Sequence, residues 1–303
     1  MERHDGRGHD GAAAPRGGHP LHAALVREGA DRERKVTRLA AHRGGAALWP
    51  ENSLLAFRQA LALDSDLLEF DVHLTSDGAL AVIHDPTLDR TTDATGPVAS
   101  RTAAELGRVR LRGPDGALTD ERVPMLGEVL ALVAPSRTGL LVEVKAPVAG
   151  VGVRYERRGG RAVAVPGPRY EGLEERLVAS LRGAGFLSRS TIMAFNPDVV
   201  ATIRALVPDQ RTALLVSAHH VGQAGGRPED AVAWAVAAGA TDAGLQYTLV
   251  DAAVVSAARA AGLLLGVWTV NQERAIRRLV ELGVDVLTSD RPDVAKRVLA
   301  RAP

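Results

Sequence analysis

Between Ala41 and Thr92 the chain concentrates side chains suited to proton transfer and cation binding: AHRGG at 41–45, PENS at 50–53, LLEFDVHLTSDG at 67–78 and HDPTLDRTT at 84–92. Histidine, with an unperturbed pKa of about 6.5, gains and loses protons near neutral pH. Glu69 and Asp71 stand two apart in a β-rich run, so an extended backbone aims both to one side. Glu143 and Lys145 repeat that spacing in VEVK. Three carboxylates gathered in one place repel one another unless a cation joins them. A divalent hard cation, Mg²⁺ or Ca²⁺, meets that need, because it prefers carboxylate oxygens and accepts further ligands from water and a substrate phosphate. The plainer alternatives are an ion pair between Glu143 and Lys145, and hydrogen-bonded core positions for His42 and His84.

These groups need elements that bring them together. From Val36 onward, short apolar runs alternate with longer Ala/Leu/Val/Arg-rich stretches of helical character, the pattern of parallel βα units. Strands are expected at Arg38–Ala41, Leu67–Val72, Leu80–His84, Leu140–Lys145, Thr191–Phe195, Ala213–Val216, Ala243–Tyr247, Leu263–Val270 and Asp285–Ser289. A parallel crossover takes a dozen or more residues. The stretch between Val72 and Leu80 is much shorter and carries the turn signal Ser76-Asp77-Gly78, so Leu80–His84 must return antiparallel. The eight strands that remain predict an α/β fold, a (β/α)₈ TIM barrel with an antiparallel hairpin after its second strand.

Barrel enzymes carry their sites at the C-terminal ends of the strands. Those ends hold His42 and Arg43, Glu69 and Asp71, Glu143 and Lys145, Asn196, Trp268 to Asn271, and Ser289 with Asp290. The hairpin register brings His84 beside Glu69 and Asp71. His73 is assigned to the pleat facing away from the mouth. His219 and His220 fall near the rim with no carboxylate at a matching spacing, and all three stay outside the expected site.

Composition narrows the function classes. A net charge of +1 on 303 residues, with scattered arginines, lacks the concentrated basic surface of a nucleic-acid binder. The absence of cysteine excludes a disulfide framework and zinc–thiolate sites. No apolar run reaches the roughly 20 residues of a membrane span, and the first residues lack a secretory signal's apolar core, so a cytoplasmic location is the expectation. Residues 1–34 are rich in Gly, Arg, His and Ala and read as a disordered polar tail, leaving 35–303 for the barrel.

HRG, PEN, E-x-D-V-x-L-T-x-D-G, HD-x-T-x-x-RTT, VEVK and VWTVN, in this order, resemble the glycerophosphodiester phosphodiesterase family of PLC-like phosphodiesterase barrels. The resemblance runs from about Val36 to Leu299. It implies metal-dependent hydrolysis of glycerophosphodiesters to sn-glycerol 3-phosphate and an alcohol. By motif it implies His42 and His84 as the acid/base pair and Glu69, Asp71 and Glu143 as metal ligands. Arg43 and Lys145 match its phosphate-binding cations, and Trp268 the residue near the glycerol. A small-molecule substrate is the implied partner; the oligomeric state stays open.

The chain departs from the family pattern before the acidic strand, where Leu63-Asp64-Ser65-Asp66 replaces a common Gly-Ala-Asp. Two insertions on the mouth side, Ala146 to Tyr170 and Pro86 to Met125, are expected to shape substrate access, the first as a hairpin or lid turning at Gly159-Gly160. A phospholipase D-like lyase that stops at a cyclic phosphate, acting on lysophospholipids or sphingolipids, is one alternative. A catalytically silent barrel that binds phosphorylated ligands is another, and a sugar-phosphate isomerase a third.

Overall fold

The apolar runs form strands and the stretches between them form helices. The computed structural model describes residues 36–148, 150 and 152–301, so the tail expected over 1–34 lies outside the described residues. In chain order the strands are β1 (Arg38–His42), β2 (Leu67–Leu74), β3 (Leu80–Val82), β4 (Arg110–Arg112), β5 (Leu118–Arg122), β6 (Gly139–Val144), β7 (Val153–Arg158), β8 (Arg161–Pro166), β9 (Ser190–Ala194), β10 (Arg211–Val216), β11 (Asp242–Gln246), β12 (Leu264–Trp268) and β13 (Val286–Ser289). The helices are α1 (Leu54–Ala62), α2 (Ala103–Leu106), α3 (Leu126–Val133), α4 (Leu173–Gly183), α5 (Pro197–Leu206), α6 (Ala218–Ala224), α7 (Asp230–Ala237), α8 (Ala252–Ala260), α9 (Glu273–Leu282) and α10 (Pro292–Leu299).

Eight strands pair in parallel in the order β1-β13-β12-β11-β10-β9-β6-β2, and pairing of β1 with β2 closes the barrel. Closure leaves these strands without a free edge. The closing registers place Ala41 opposite Ser289 and His42 opposite Glu69. β3 runs antiparallel to β2, with Val72 opposite Val82, as the short connection requires. The strand expected over Leu80–His84 stops at Val82, although Ile83 N still donates to Asp71 O at 3.1 Å.

The main core lies between barrel wall and helices, where outward residues such as Leu39, Leu68, Phe70, Val142 and Leu287 are fully buried. Helix starts are fixed locally: Ser53 Oγ accepts from Ala56 N, and Asn196 Oδ1 from Asp198 N ahead of Pro197, each satisfying an amide that the helix leaves free. The inner face carries a second, smaller cluster in which Ala40 and Ala213 sit beside Leu67, Leu141, Met193, Phe195, Leu215 and Val286.

Both mouth-side insertions are folded. The 86–125 segment carries α2 and the β4–β5 hairpin over its own apolar cluster, which includes Ile83, Leu88, Val98, Leu106 and Leu111. The 146–170 segment carries the β7–β8 hairpin, turning at Gly159 and Gly160 with φ of 57° and 81°. Two left-handed residues are what a tight two-residue hairpin turn demands. From this hairpin Tyr155 stacks on Trp234 of α7 at 4.2 Å and leans on His220 of α6 at 5.3 Å. Among the described residues no helix is long and apolar enough to cross a membrane.

Candidate active site

The end of β1 delivers His42 and then reverses sharply. Arg43, Gly44 and Gly45 all adopt positive φ, at 50°, 81° and 113°. A Cβ on Gly44 would come within 2.7 Å of Ala56 Cβ, so the turn presses against α1 where a side chain does not fit. This geometry directs Arg43 N to Glu69 Oε2 at 2.9 Å and brings its guanidinium to Asp71 Oδ2 at 3.3 Å and Glu51 Oε1 at 3.0 Å. Buried Asn52 donates to Asp71 Oδ2 at 2.9 Å.

β2 and the adjacent β6 supply the acidic cluster. Glu69, Asp71 and Glu143 are all buried, and one oxygen from each lies within 4.8 Å of the others. They form a group able to hold a metal ion. Lys145 Nζ lies 2.7 Å from Glu143 Oε1 and 3.4 Å from Asp71 Oδ1. Burial alone would raise the Asp71 pKa, but the charges of Lys145 and Arg43 outweigh it and hold Asp71 ionised. Two cations do not balance three carboxylates. The imbalance appears at Glu69, which burial and the Asp71 charge push up to about 8.

Each of the two motif histidines is held by a carboxylate. His42 Nδ1 donates to Asp290 Oδ1 at 2.6 Å, and Asn271 Nδ2 donates to Asp290 Oδ2 at 2.8 Å. His84 Nδ1 donates to Asp85 Oδ1 at 2.6 Å, while Arg90 clamps Asp85 and reaches Glu51 at 2.8 Å. A carboxylate on Nδ1 fixes the tautomer and turns Nε2 toward the work; His42 Nε2 lies 3.8 Å from Glu69 Oε2. Burial lowers the His42 pKa, but Glu69 and Asp290 reverse this and the net shift is upward. His84 shifts the other way, because burial, Lys145 and Arg43 outweigh Asp71 and Asp85.

His73 corrects the sequence reading. Residues 69, 71 and 73 share a pleat, so His73 lines the same cavity as Glu69. Its Nε2–H donates to the His84 carbonyl at 3.0 Å and its Nδ1 accepts from Tyr170 OH at 2.8 Å. Both bonds suit a neutral ring, and burial lowers its pKa to about 4. His73 thus ties the His84 backbone to β2. His220 is buried at the start of α6 against Tyr155 and Phe195, and His219 precedes it there. Trp268 stands at the end of β12, its Nε1 donating to Gly244 O at 2.9 Å and its ring edge-on to Phe195 at 5.5 Å.

Asp290, Asp85, Arg90, Glu51 and Asn52 complete the site beyond the residues expected to act in it. All lie in motifs or strand ends visible in the sequence; the missing information was which histidine each carboxylate would meet. The mouth opens into one cavity of about 610 Å³, bounded by His42, Glu69, His84 and Lys145 above and by Leu141, Ala213, Gly266 and Val286 within the barrel.

A closed parallel barrel whose C-terminal mouth gathers acid–base and cation-binding groups defines the class, a (β/α)₈-barrel enzyme. Residues 42–294 match the model of the glycerophosphoryl diester phosphodiesterase family. The glycerophosphodiester phosphodiesterase of Bacillus altitudinis is 31% identical over 269 residues, covering 87% of this chain and 98% of that protein. Its counterpart in Caldanaerobacter subterraneus subsp. tengcongensis is 28% identical over 260 residues, covering 85% and 95%. A solved candidate glycerophosphoryl diester phosphodiesterase from Agrobacterium tumefaciens is 29% identical with a TM-score of 0.75, covering 88% of this chain and 98% of its own. The chain belongs to the glycerophosphoryl diester phosphodiesterase family, whose enzymes are phosphoric diester hydrolases.

Proposed function

We propose that the protein hydrolyses glycerophosphodiesters to sn-glycerol 3-phosphate and an alcohol, with a Mg²⁺ or Ca²⁺ ion held by Glu69, Asp71 and Glu143. The observation that carries this reading is the convergence, on one mouth, of the three-carboxylate cluster and two carboxylate-held histidines. The residues fit such an ion: the donors are oxygens throughout, and buried Asp71 Oδ1 accepts no hydrogen bond and has only the Lys145 ammonium near it at 3.4 Å. When bound, the ion neutralises non-bridging phosphate oxygens and supplies the charge that the cluster lacks.

The chain's own residues do the rest. Arg43 and Lys145 draw the phosphodiester to the cluster and screen it against the carboxylates. Of His42 and His84, one takes the proton of the attacking oxygen at Nε2 and the other gives a proton to the leaving alkoxide. Water's oxygen becomes bonded to phosphorus as the bond to the alcohol oxygen breaks. A positioned acid or base contributes about 10²–10⁴-fold in rate, the loss expected for His42→Ala or His84→Ala. Trp268, at the end of β12, meets the glycerol moiety.

The test is release of glycerol 3-phosphate from glycerophosphocholine and glycerophosphoethanolamine, with Mg²⁺, with Ca²⁺ and with EDTA, beside the His42→Ala protein. Turnover that needs both metal and His42 supports the reading. Turnover in EDTA removes the metal from it, and a cyclic phosphate as the final product, seen by ³¹P NMR, replaces hydrolase with lyase.

A further inference from the structure

The interior of a (β/α)₈ barrel is ordinarily filled by layers of bulky side chains. Here one inward position on each of three neighbouring strands is small: Ala213 on β10, Gly244 on β11 and Gly266 on β12. Gly244 pairs with Leu215 on one side and with Gly266 on the other; Leu215 Cδ2 leans over Gly244, so the open space lies at Gly266 and Ala213. The cavity that begins at the acidic cluster continues through it, past Leu141, Met193, Phe195, Leu215 and Val286, to Leu264 and Asp242. Its inner walls are mainly apolar, with Thr191 and Thr288 the threonines among them. Its floor is closed by Asp242, which takes Arg211 Nη2 on both oxygens at 2.8 and 2.7 Å.

The head of a glycerophosphodiester is polar throughout and has no use for an apolar well. We infer that the barrel lumen beneath Trp268 is a binding site for an unbranched apolar chain carried by a phosphodiester substrate. The inference takes the phosphate's position from the proposed function; the hollow itself stands independently of it. From Trp268 to Leu264 the wall descends four residues. With a rise of about 3.3 Å per residue and a tilt of about 36°, this gives a depth of about 11 Å, room for about nine extended carbons. Longer chains meet the Asp242–Arg211 pair.

Gly266 allows the site to be closed without disturbing the mouth. A Cβ there meets Val286 Cβ at 3.8 Å and Ala243 O at 3.9 Å, ordinary contact distances, so Gly266→Val fits the strand and projects into the hollow. Ala213→Leu fills the same space from β10. The measurement is calorimetric affinity for n-alkyl phosphates from ethyl to dodecyl, in Mg²⁺ and below their aggregation concentrations. Full burial of a methylene corresponds to about a fourfold gain in affinity. The expected series therefore climbs by up to about that factor per carbon, then levels near nonyl. Both variants abolish the climb and leave ethyl phosphate affinity unchanged. A flat series in the native protein, or a climb that persists in both folded variants, overturns the inference.

Turnover identifies where the chain is attached. Octanoyl lysophosphatidylethanolamine carries it on the glycerol and glycerophospho-octanol on the alcohol; the substrate that gains kcat/KM over glycerophosphoethanolamine, and loses the gain in Gly266→Val, names the side. No gain for either overturns the lumen as a substrate site. A climbing affinity series with no turnover of any diester, glycerophosphoethanolamine included, instead refutes the proposed function and leaves the chain site standing.

Discussion

Replacing Asp290 by Ala isolates the part of the site that orients His42. Asp290 is not a member of the acidic cluster; it touches His42 Nδ1 at 2.6 Å and is itself held by Asn271 at 2.8 Å. A hydrogen bond to a charged group contributes about 1.5–3 kcal/mol, and each 1.36 kcal/mol is tenfold in rate. If the bond acts by fixing the His42 tautomer and ring in the transition state, kcat falls by about 10- to 150-fold. KM stays close to native, since Asp290 lies on the side of His42 turned away from the cluster. Asp290→Asn keeps the shape but offers an amide to Nδ1, and falls between Ala and native. The assay is steady-state release of glycerol 3-phosphate from glycerophosphoethanolamine, with thermal unfolding as the control for fold. A kcat within threefold of native in a folded Asp290→Ala protein, or a loss carried wholly by KM, refutes the positioning argument.

Glu69→Gln, Asp71→Asn and Glu143→Gln should each weaken calorimetric Mg²⁺ or Ca²⁺ affinity by about tenfold or more while circular dichroism stays native; unaltered affinity in all three removes the metal assignment. Gly44→Ala forces a Cβ against Ala56 at 2.7 Å in a left-handed backbone and should cost about 3 kcal/mol, lowering Tm by roughly 5–10 °C. His220 accepts from Ser217 N at 3.3 Å through Nδ1, and burial, with His219 nearby, lowers its pKa from 6.5 to about 4. The unfolded chain therefore takes up this proton first. Stability from this group is complete above about pH 6.5 and is lost progressively down to about pH 4, reaching about 2 kcal/mol at pH 5. His220→Gln keeps a capping side chain and should remove that component from the difference between urea unfolding at pH 7 and pH 5; an unchanged difference refutes it.

The barrel was legible because its evidence is local and repeated. Apolar runs, helical stretches and a connection too short for a crossover determine strand number and the one antiparallel return. The acidic cluster was legible for the same reason, since a spacing of two on neighbouring strands suffices to converge Glu69, Asp71 and Glu143. His73 belonged to that same pleat and was placed on the wrong face, although the parity of 69, 71 and 73 contained the answer. The pairing of His42 with Asp290 depends on the register in which the first and last barrel strands close, Ala41 against Ser289, and no short-range pattern encodes it. Gly244 and Gly266, glycines inside strands, signal a close approach or an empty place; the folded barrel alone decides which, a close approach of Leu215 at Gly244 and open space at Gly266.

The seam between β1 and β13 joins residues 248 positions apart at the His42–Asp290 bond. A chain that has assembled seven strands and awaits the eighth already contains the acidic cluster, both histidines and Lys145, yet its His42 imidazole has no carboxylate to fix it. Turnover therefore serves as a readout of ring closure. A strand-swapped, clipped or half-assembled barrel is expected to bind cations and phosphate while turning over at the slower rate of a protein without Asp290, so full activity belongs to molecules that have completed their circle.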